Sequence, residues 1–165
     1  MPSTSIEQYL SQCYEPDCDY VDGEIEERNF CDRTHSRLQA RVGAYLLTQY
    51  ETAGFEVFTE LRIRVRPTRF RIPDVCVTIG DPGEEVLTKP PFLCIEILSP
   101  EDRMSRLEIR IQDFLRMGVP NAWVLDPLTR QAYVATAVEG LREIKTGVLR
   151  TDNPVIEMPL AGLWG

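Results

Sequence analysis

Two carboxylates stand in apolar runs that would otherwise read as plain core strand. Asp74 lies in RIPDVCVTIG (71–80) and Glu96 in FLCIEIL (92–98). A charged carboxylate inside a strand costs on the order of several kcal/mol unless a cation or hydrogen bonds compensate it. Two compensations are open. One is an ion pair with an arginine, the usual fate of a buried acid. The other is a hard cation such as Mg²⁺ or Mn²⁺, which takes one or two carboxylates, a backbone carbonyl and several waters. Such an ion activates water and polarises a phosphodiester. The chemistry to look for is therefore metal-assisted phosphodiester hydrolysis, with Asp74 and Glu96 as its paired acids.

Positive charge is also patterned. Leu61, Ile63 and Val65 alternate with Arg62, Arg64 and Arg66, so three guanidinia share one strand face. That face is either simply solvated or a ridge for nucleic-acid phosphates. Further along, Arg103 and Arg110 are two turns apart on one flank of a helix, with Arg106 farther round.

The elements that must position these residues follow from periodicity and turn chemistry. Thr4 and Glu7 predict a capping box on a short first helix. Residues 20–27, YVDGEIEE, predict a hairpin about Asp22-Gly23. Asp32 or Thr34 can cap a helix running to about Glu51, with Leu38, Val42, Tyr45 and Leu46 as its stripe. One strand is expected over 55–66 and another over 72–79. The near-continuous apolar run 92–98 predicts a central strand buried on both faces.

Ser99-Pro100-Glu101-Asp102 predicts a helix start, and Met104, Leu107, Ile111, Phe114 and Leu115 its buried stripe, with Gly118 as its stop. Residues 122–125 predict a further buried strand, and 131–137 with 141–144 a hairpin. The tail is expected to pack as a strand or extended segment. The pattern is that of one α/β domain over 1–165.

Composition narrows the class. At 165 residues, 43% hydrophobic and 27% charged, the chain suits one globular domain. No apolar run approaches the ~20 residues that span a bilayer. The first residues lack a basic start and an apolar stretch, so no secretory signal and a cytoplasmic location are expected. A net charge of −8 argues against non-specific coating of nucleic acid, but not against a local basic cleft.

Together, YVDGEIEE, His35 opening a helix, RIPDVCV, FLCIEILSPEDR and GVPNAWVLDP resemble a large bacterial family of restriction-endonuclease-like proteins within the PD-(D/E)XK nuclease superfamily. The resemblance runs from the first helix to the last segment. It implies a restriction-endonuclease-like core, a mixed central β-sheet flanked by helices, and a Mg²⁺- or Mn²⁺-dependent DNA endonuclease site. Carried over, Asp74 and Glu96 are metal ligands, with the carbonyl of Ile97 as a third. The pattern's lysine is absent: Leu98 stands in its place. The family supplies a lysine from the following helix, and the matching position is Arg110, which can hold a phosphate but stays protonated. Arg62, Arg64, Arg66 and Arg103 would guide the nucleic acid. A homodimer is expected from the resemblance, because restriction enzymes cut both strands as dimers. The alternative is a non-catalytic nucleic-acid-binding or oligomeric interaction module on the same fold.

Glu24 and His35 form a second tier. Glu24 is either a third carboxylate near the metal or an exposed hairpin acid. His35 is either a site residue or a hydrogen-bonding residue at a helix start. Cys13, Cys18, Cys31 and His35 also satisfy a zinc-finger spacing, but the apolar pattern of a finger is missing. The odd total of five cysteines, with no CxxC pair, suits a reducing compartment.

Overall fold

A computed structural model describes residues 3–28 and 32–165. Its centre is a six-stranded mixed sheet in the order β10-β9-β8-β7-β6-β3. The strands are β3 (Phe55–Thr59), β6 (Val75–Ile79), β7 (Leu93–Ile97), β8 (Asn121–Asp126), β9 (Gln131–Thr136) and β10 (Gly140–Glu143). Only β7 and β8 run parallel, Ile95 facing Trp123; the other pairs are antiparallel. A parallel pair needs a crossover, and helix α3 (Met104–Met117) makes it.

The two faces of this sheet are covered by different helices. Leu38, Val42 and Leu46 of α2 (Arg33–Tyr50) pack with Val75, Val77, Leu93, Ile95, Ile97 and Trp123. Leu107, Ile111, Phe114 and Leu115 of α3 pack with Cys76, Cys94, Ala122 and Val124 on the opposite face. Strand alternation thus puts Glu96, two places from Cys94, on the α3 side. Asp32 caps α2 by accepting from the His35 backbone N–H at 2.8 Å. Gly54 (φ 85°) turns the chain out of a short 3₁₀ turn into β3, and Gly118 (φ 109°) ends α3.

A second sheet, in the order β2-β1-β5-β4, stands beside the first. Its strands are β1 (Asp19–Val21), β2 (Glu24–Glu26), β4 (Ile63–Arg66) and β5 (Arg69–Arg71). The β1–β2 hairpin turns at Asp22-Gly23, both at positive φ, as the sequence predicts. Helix α1 (Ile6–Ser11) lays Tyr9 against Tyr20 and Phe70 of this sheet. The tail closes as a two-stranded antiparallel pair, β11 (Val148–Arg150) and β12 (Glu157–Pro159).

Several expectations need correction. The capping box of α1 is Ser5 with Gln8, one residue beyond Thr4 and Glu7. Residues 55–66 are two strands in two sheets, because Glu60 at φ 54° breaks the run after Thr59. The strand expected from 72 begins at Val75, leaving Asp74 in the bend before it. Helix α3 starts at Met104 with Arg103 as an N-cap that makes no side-chain bond. Ser99 to Asp102 instead close a turn on themselves: the Ser99 N–H donates to the Asp102 carboxylate, and the Asp102 N–H to the Ser99 carbonyl. Met104, expected in the stripe, is 47% exposed. Among the described residues, no helix is long and apolar enough to cross a membrane.

Candidate active site

The ends of β6 and β7 bring the two acids together. Asp74 is buried just ahead of β6 and turns its carboxylate onto the end of β7, accepting the Ile97 backbone N–H at 2.6 Å. Continuing the Val75–Ile95 register, Ile97 faces Pro73, where the strand has ended, so the Asp74 side chain takes this donor instead. The Asp74 backbone carbonyl is held in turn by the Gln39 side chain (2.9 Å) and the Glu60 N–H (3.3 Å). Glu96, also buried, lies on the α3 side of β7 and accepts from Arg110 Nη2 at 2.9 Å. The same Nη2 donates to the Ile72 carbonyl at 3.0 Å. Asp74, Glu96, His35, Ile97 and Arg110 all line one cleft of about 90 Å³, room for about three waters.

Two residues absent from the sequence reading complete the site. Arg28 Nη2 lies 2.5 Å from Asp74 Oδ1, with its side chain 9% exposed. Asp19 lies 3.7 Å from Arg110 and accepts from Arg71 Nη1 at 2.9 Å and from the Ile72 N–H at 3.0 Å. Asp19 could have been found by the reasoning that found Glu96, as an acid between buried Cys18 and Tyr20. Arg28 gives no such signal, since it follows the acidic run Glu24–Glu27 and resembles a solvated surface charge.

The second-tier residues part ways. Glu24 is exposed at the hairpin and does not line the cleft; its neighbour Glu26 reaches Arg71 at 2.8 Å. His35 is buried, with Nε2 3.2 Å from Asp74 Oδ2. Of the four residues with zinc-finger spacing, Cys31 lies outside the described residues. Cys13 is exposed, Cys18 donates its thiol to the Pro16 carbonyl, and His35 is turned onto Asp74. Among the described residues no group of three or more His, Cys, Asp or Glu is placed to hold a metal ion.

Arg62, Arg64 and Arg66 do not line the cleft. Arg62 binds both oxygens of Asp17, at 2.7 and 3.1 Å, and lies over the Tyr9 ring. Arg64 donates to the Pro67 carbonyl and covers Phe70. Arg66 is half-buried, 3.8 Å from Asp113. Arg103 is exposed at the start of α3 and also lies outside the cleft lining.

Charge in the cleft is strongly differentiated. Burial works to raise the Asp74 pKa, but His35, Arg28 and the Ile97 N–H outweigh it, and Asp74 is held below the usual carboxylate range. Glu96 is pushed up to about 7 by burial, with Arg110 opposing and Asp74 adding to the rise. Burial lowers the His35 pKa, yet its bond to Asp74 wins and the net shift is upward. Asp74 is thus a fixed anion, while Glu96 exchanges a proton near neutrality, the separation of roles that acid–base sites use. Arg110 stays charged: burial lowers its pKa, but Asp19 and Glu96 more than offset that.

Whether a divalent ion fits depends on free oxygens. Asp74 Oδ1 is on Arg28, its Oδ2 is shared by Ile97 and His35, and Glu96 Oε1 is on Arg110. Three buried carboxylates, Asp19, Asp74 and Glu96, meet the guanidinia of Arg28, Arg71 and Arg110. Mg²⁺ demands a near-octahedral set of oxygens. As arranged, the residues do not fit it. The acids are adjacent, but guanidinium groups already neutralise them.

A family model described as "Uma2: Putative restriction endonuclease" matches residues 6–165. Among solved structures, a protein from Anabaena variabilis described as a putative nuclease belonging to DUF820 superposes with a TM-score of 0.82. The two are 20% identical, and the match covers 96% of each chain. At that identity the likeness concerns the fold, which is the mixed-sheet, nuclease-like core expected from the sequence. A DrdV–DNA complex matches over 81% of this chain and 11% of that one, at 20% identity and a TM-score of 0.46. No curated protein matches the sequence.

Proposed function

Because this chain belongs to the Uma2 family, we propose that it is a nuclease-like protein that engages DNA at the Asp74–Glu96 cleft with hydrolysis lost. One observation carries the reading: Arg110, not a lysine, holds Glu96, while Leu98 fills the motif position. A lysine there can change protonation state in the reaction; a guanidinium cannot at accessible pH. Arg110 therefore supplies charge for a phosphate and no proton transfer. At the mouth of the cleft, Arg106 makes no side-chain bond or ion pair with any described residue, which leaves it available to a backbone phosphate.

The second reading is an active Mg²⁺- or Mn²⁺-dependent DNA endonuclease, working as a homodimer to cut both strands. What favours it is the meeting of Asp74 and Glu96 in one cleft, with the Ile97 N–H tying the two strand ends. It requires Arg28 to leave Asp74.

Plasmid nicking with Mg²⁺ or Mn²⁺ separates the two, run beside fluorescence anisotropy on labelled duplex DNA. The expected result is salt-sensitive duplex binding, weakened by Arg106→Ala, with no nicking above that of Asp74→Ala and Glu96→Ala. Cleavage by the wild type that both alanine variants abolish establishes the second reading. Failure to bind duplex DNA at low salt removes the first.

A further inference from the structure

We infer that Arg28 occupies the cation position beside Asp74, so that this chain supplies its own cation there and holds no Mg²⁺ or Mn²⁺ in the cleft. The inference rests on reading Asp74 and Glu96 as the paired acids of the site, and not on whether DNA is cut.

The geometry is that of a fixed occupant. The Arg28 side chain is 9% exposed, with Nη2 on Asp74 Oδ1 at 2.5 Å and Nη1 3.6 Å from Glu60 Oε1. Glu60 in turn donates its backbone N–H to the Asp74 carbonyl, so guanidinium, Glu60 and Asp74 close a ring of contacts around the bend before β6. Burial is the largest single effect on Arg28 and opposes its charge, as Arg110 does, but the carboxylates about it, Asp74 foremost with Glu96 and Asp19, together outweigh them. Arg28 therefore responds to both of the paired acids, Asp74 and Glu96, and to Asp19 beside them. The second oxygen of Asp74 is taken by Ile97 and His35, so among the described residues Arg28 is the partner whose loss frees Oδ1 and leaves the strand-end bond in place.

A guanidinium and a divalent ion cannot share this space. The two are like charges at a few ångströms, in a cleft of about 90 Å³ where water screens poorly. The substitution also changes what the site can do. A guanidinium carries one charge spread over a plane and binds anions in a fixed fork. It has no exchangeable ligand position at which water could be acidified. A site filled this way recognises a phosphate without activating a nucleophile.

The test needs no DNA. Binding of Mn²⁺ to the full chain is followed by the loss of the free-ion electron paramagnetic resonance signal, with both components on the order of 0.1–1 mM, the weak end of protein sites for divalent ions. The wild type is expected to leave Mn²⁺ free and to show no Mg²⁺-dependent rise in melting temperature. Arg28→Gln, checked for native circular dichroism, is expected to bind one Mn²⁺ per chain on the order of 100-fold more tightly. Adding Asp74→Asn to that variant should abolish the gain, and Arg28→Lys, which keeps a cation, should resemble the wild type. Stoichiometric Mn²⁺ binding by the wild type that Asp74→Asn removes would overturn the inference. So would a folded Arg28→Gln that binds no Mn²⁺. The wild-type measurement decides the matter even if the glutamine variant does not fold.

Discussion

The two sides of the central sheet are held by opposite means. On the α2 side, Leu38, Val42 and Leu46 meet Val75, Ile95, Ile97 and Trp123 in an apolar layer. On the α3 side, beyond a similar layer about Phe114, the small sheet is joined to the helix by ions. Arg71 is 2% exposed and binds Asp19 of β1, Glu26 of β2 and Asp113 of α3, at 2.8–2.9 Å. Arg69 adds a second arm to Asp113 at 3.0 Å. The apolar layer contributes stability through area removed from water, regardless of pH. The ionic seam contributes little net energy while intact, but losing one member leaves several charges uncompensated.

That contrast can be broken. Arg71→Met should destabilise by roughly 3–5 kcal/mol, the cost of stranding buried charges. Its deficit should shrink as pH falls from 7 toward 4, because the stranded carboxylates can shed their charge by taking up protons. Leu46→Ala should cost about 2–5 kcal/mol by leaving a cavity, and the same amount at every pH. Urea midpoints of both variants across that range provide the measurement. Equal pH slopes would mean the seam and the layer do not differ in kind.

Glu96 sharpens the comparison, because it is an apolar-strand position carrying a titrating charge. Its folded pKa, about 7, lies above the ordinary 4.5. The folded state therefore keeps a proton that the unfolded chain gives up. The resulting stability is fully present below about 4.5 and is lost as pH rises through about 7, an effect on the order of 3 kcal/mol. His35, also shifted upward, acts in the same direction at higher pH. Melting temperatures of Glu96→Gln and wild type should therefore diverge in the variant's favour between pH 5 and pH 8. A constant difference would show that Glu96 does not titrate in that window. The smallest effect belongs to the partly buried Arg62–Asp17 pair at the surface, where Arg62→Ala should cost about 1 kcal/mol in a urea midpoint.

Legibility in the sequence follows the same division. The 92–98 strand, the α3 stripe from Leu107 to Leu115 and the Asp22-Gly23 turn are local patterns, and each was readable within a few residues. Residues 55–66 keep an unbroken strand-like composition, yet the chain changes sheets at Glu60, a non-glycine residue at positive φ that no residue type announces. The acids at 74 and 96 were legible because charge in an apolar run is anomalous. Their partners were less so: Arg28 and Asp74 are 46 positions apart, and Arg71 is more than 40 from each of its acids. An ion pair has no period, so only the folded chain reveals which charge answers which.

The bond from the Ile97 amide to the Asp74 carboxylate makes one backbone proton a resident reporter of the site. It sits at the end of a core strand, yet its acceptor is a side chain that answers to Arg28 and His35. In a ¹⁵N-labelled sample its resonance should move with any ligand or substitution that disturbs Asp74, while the amides of the neighbouring ladder stay still. Its solvent-exchange rate would give the free energy of opening that strand end, from a single cross-peak and without a substrate.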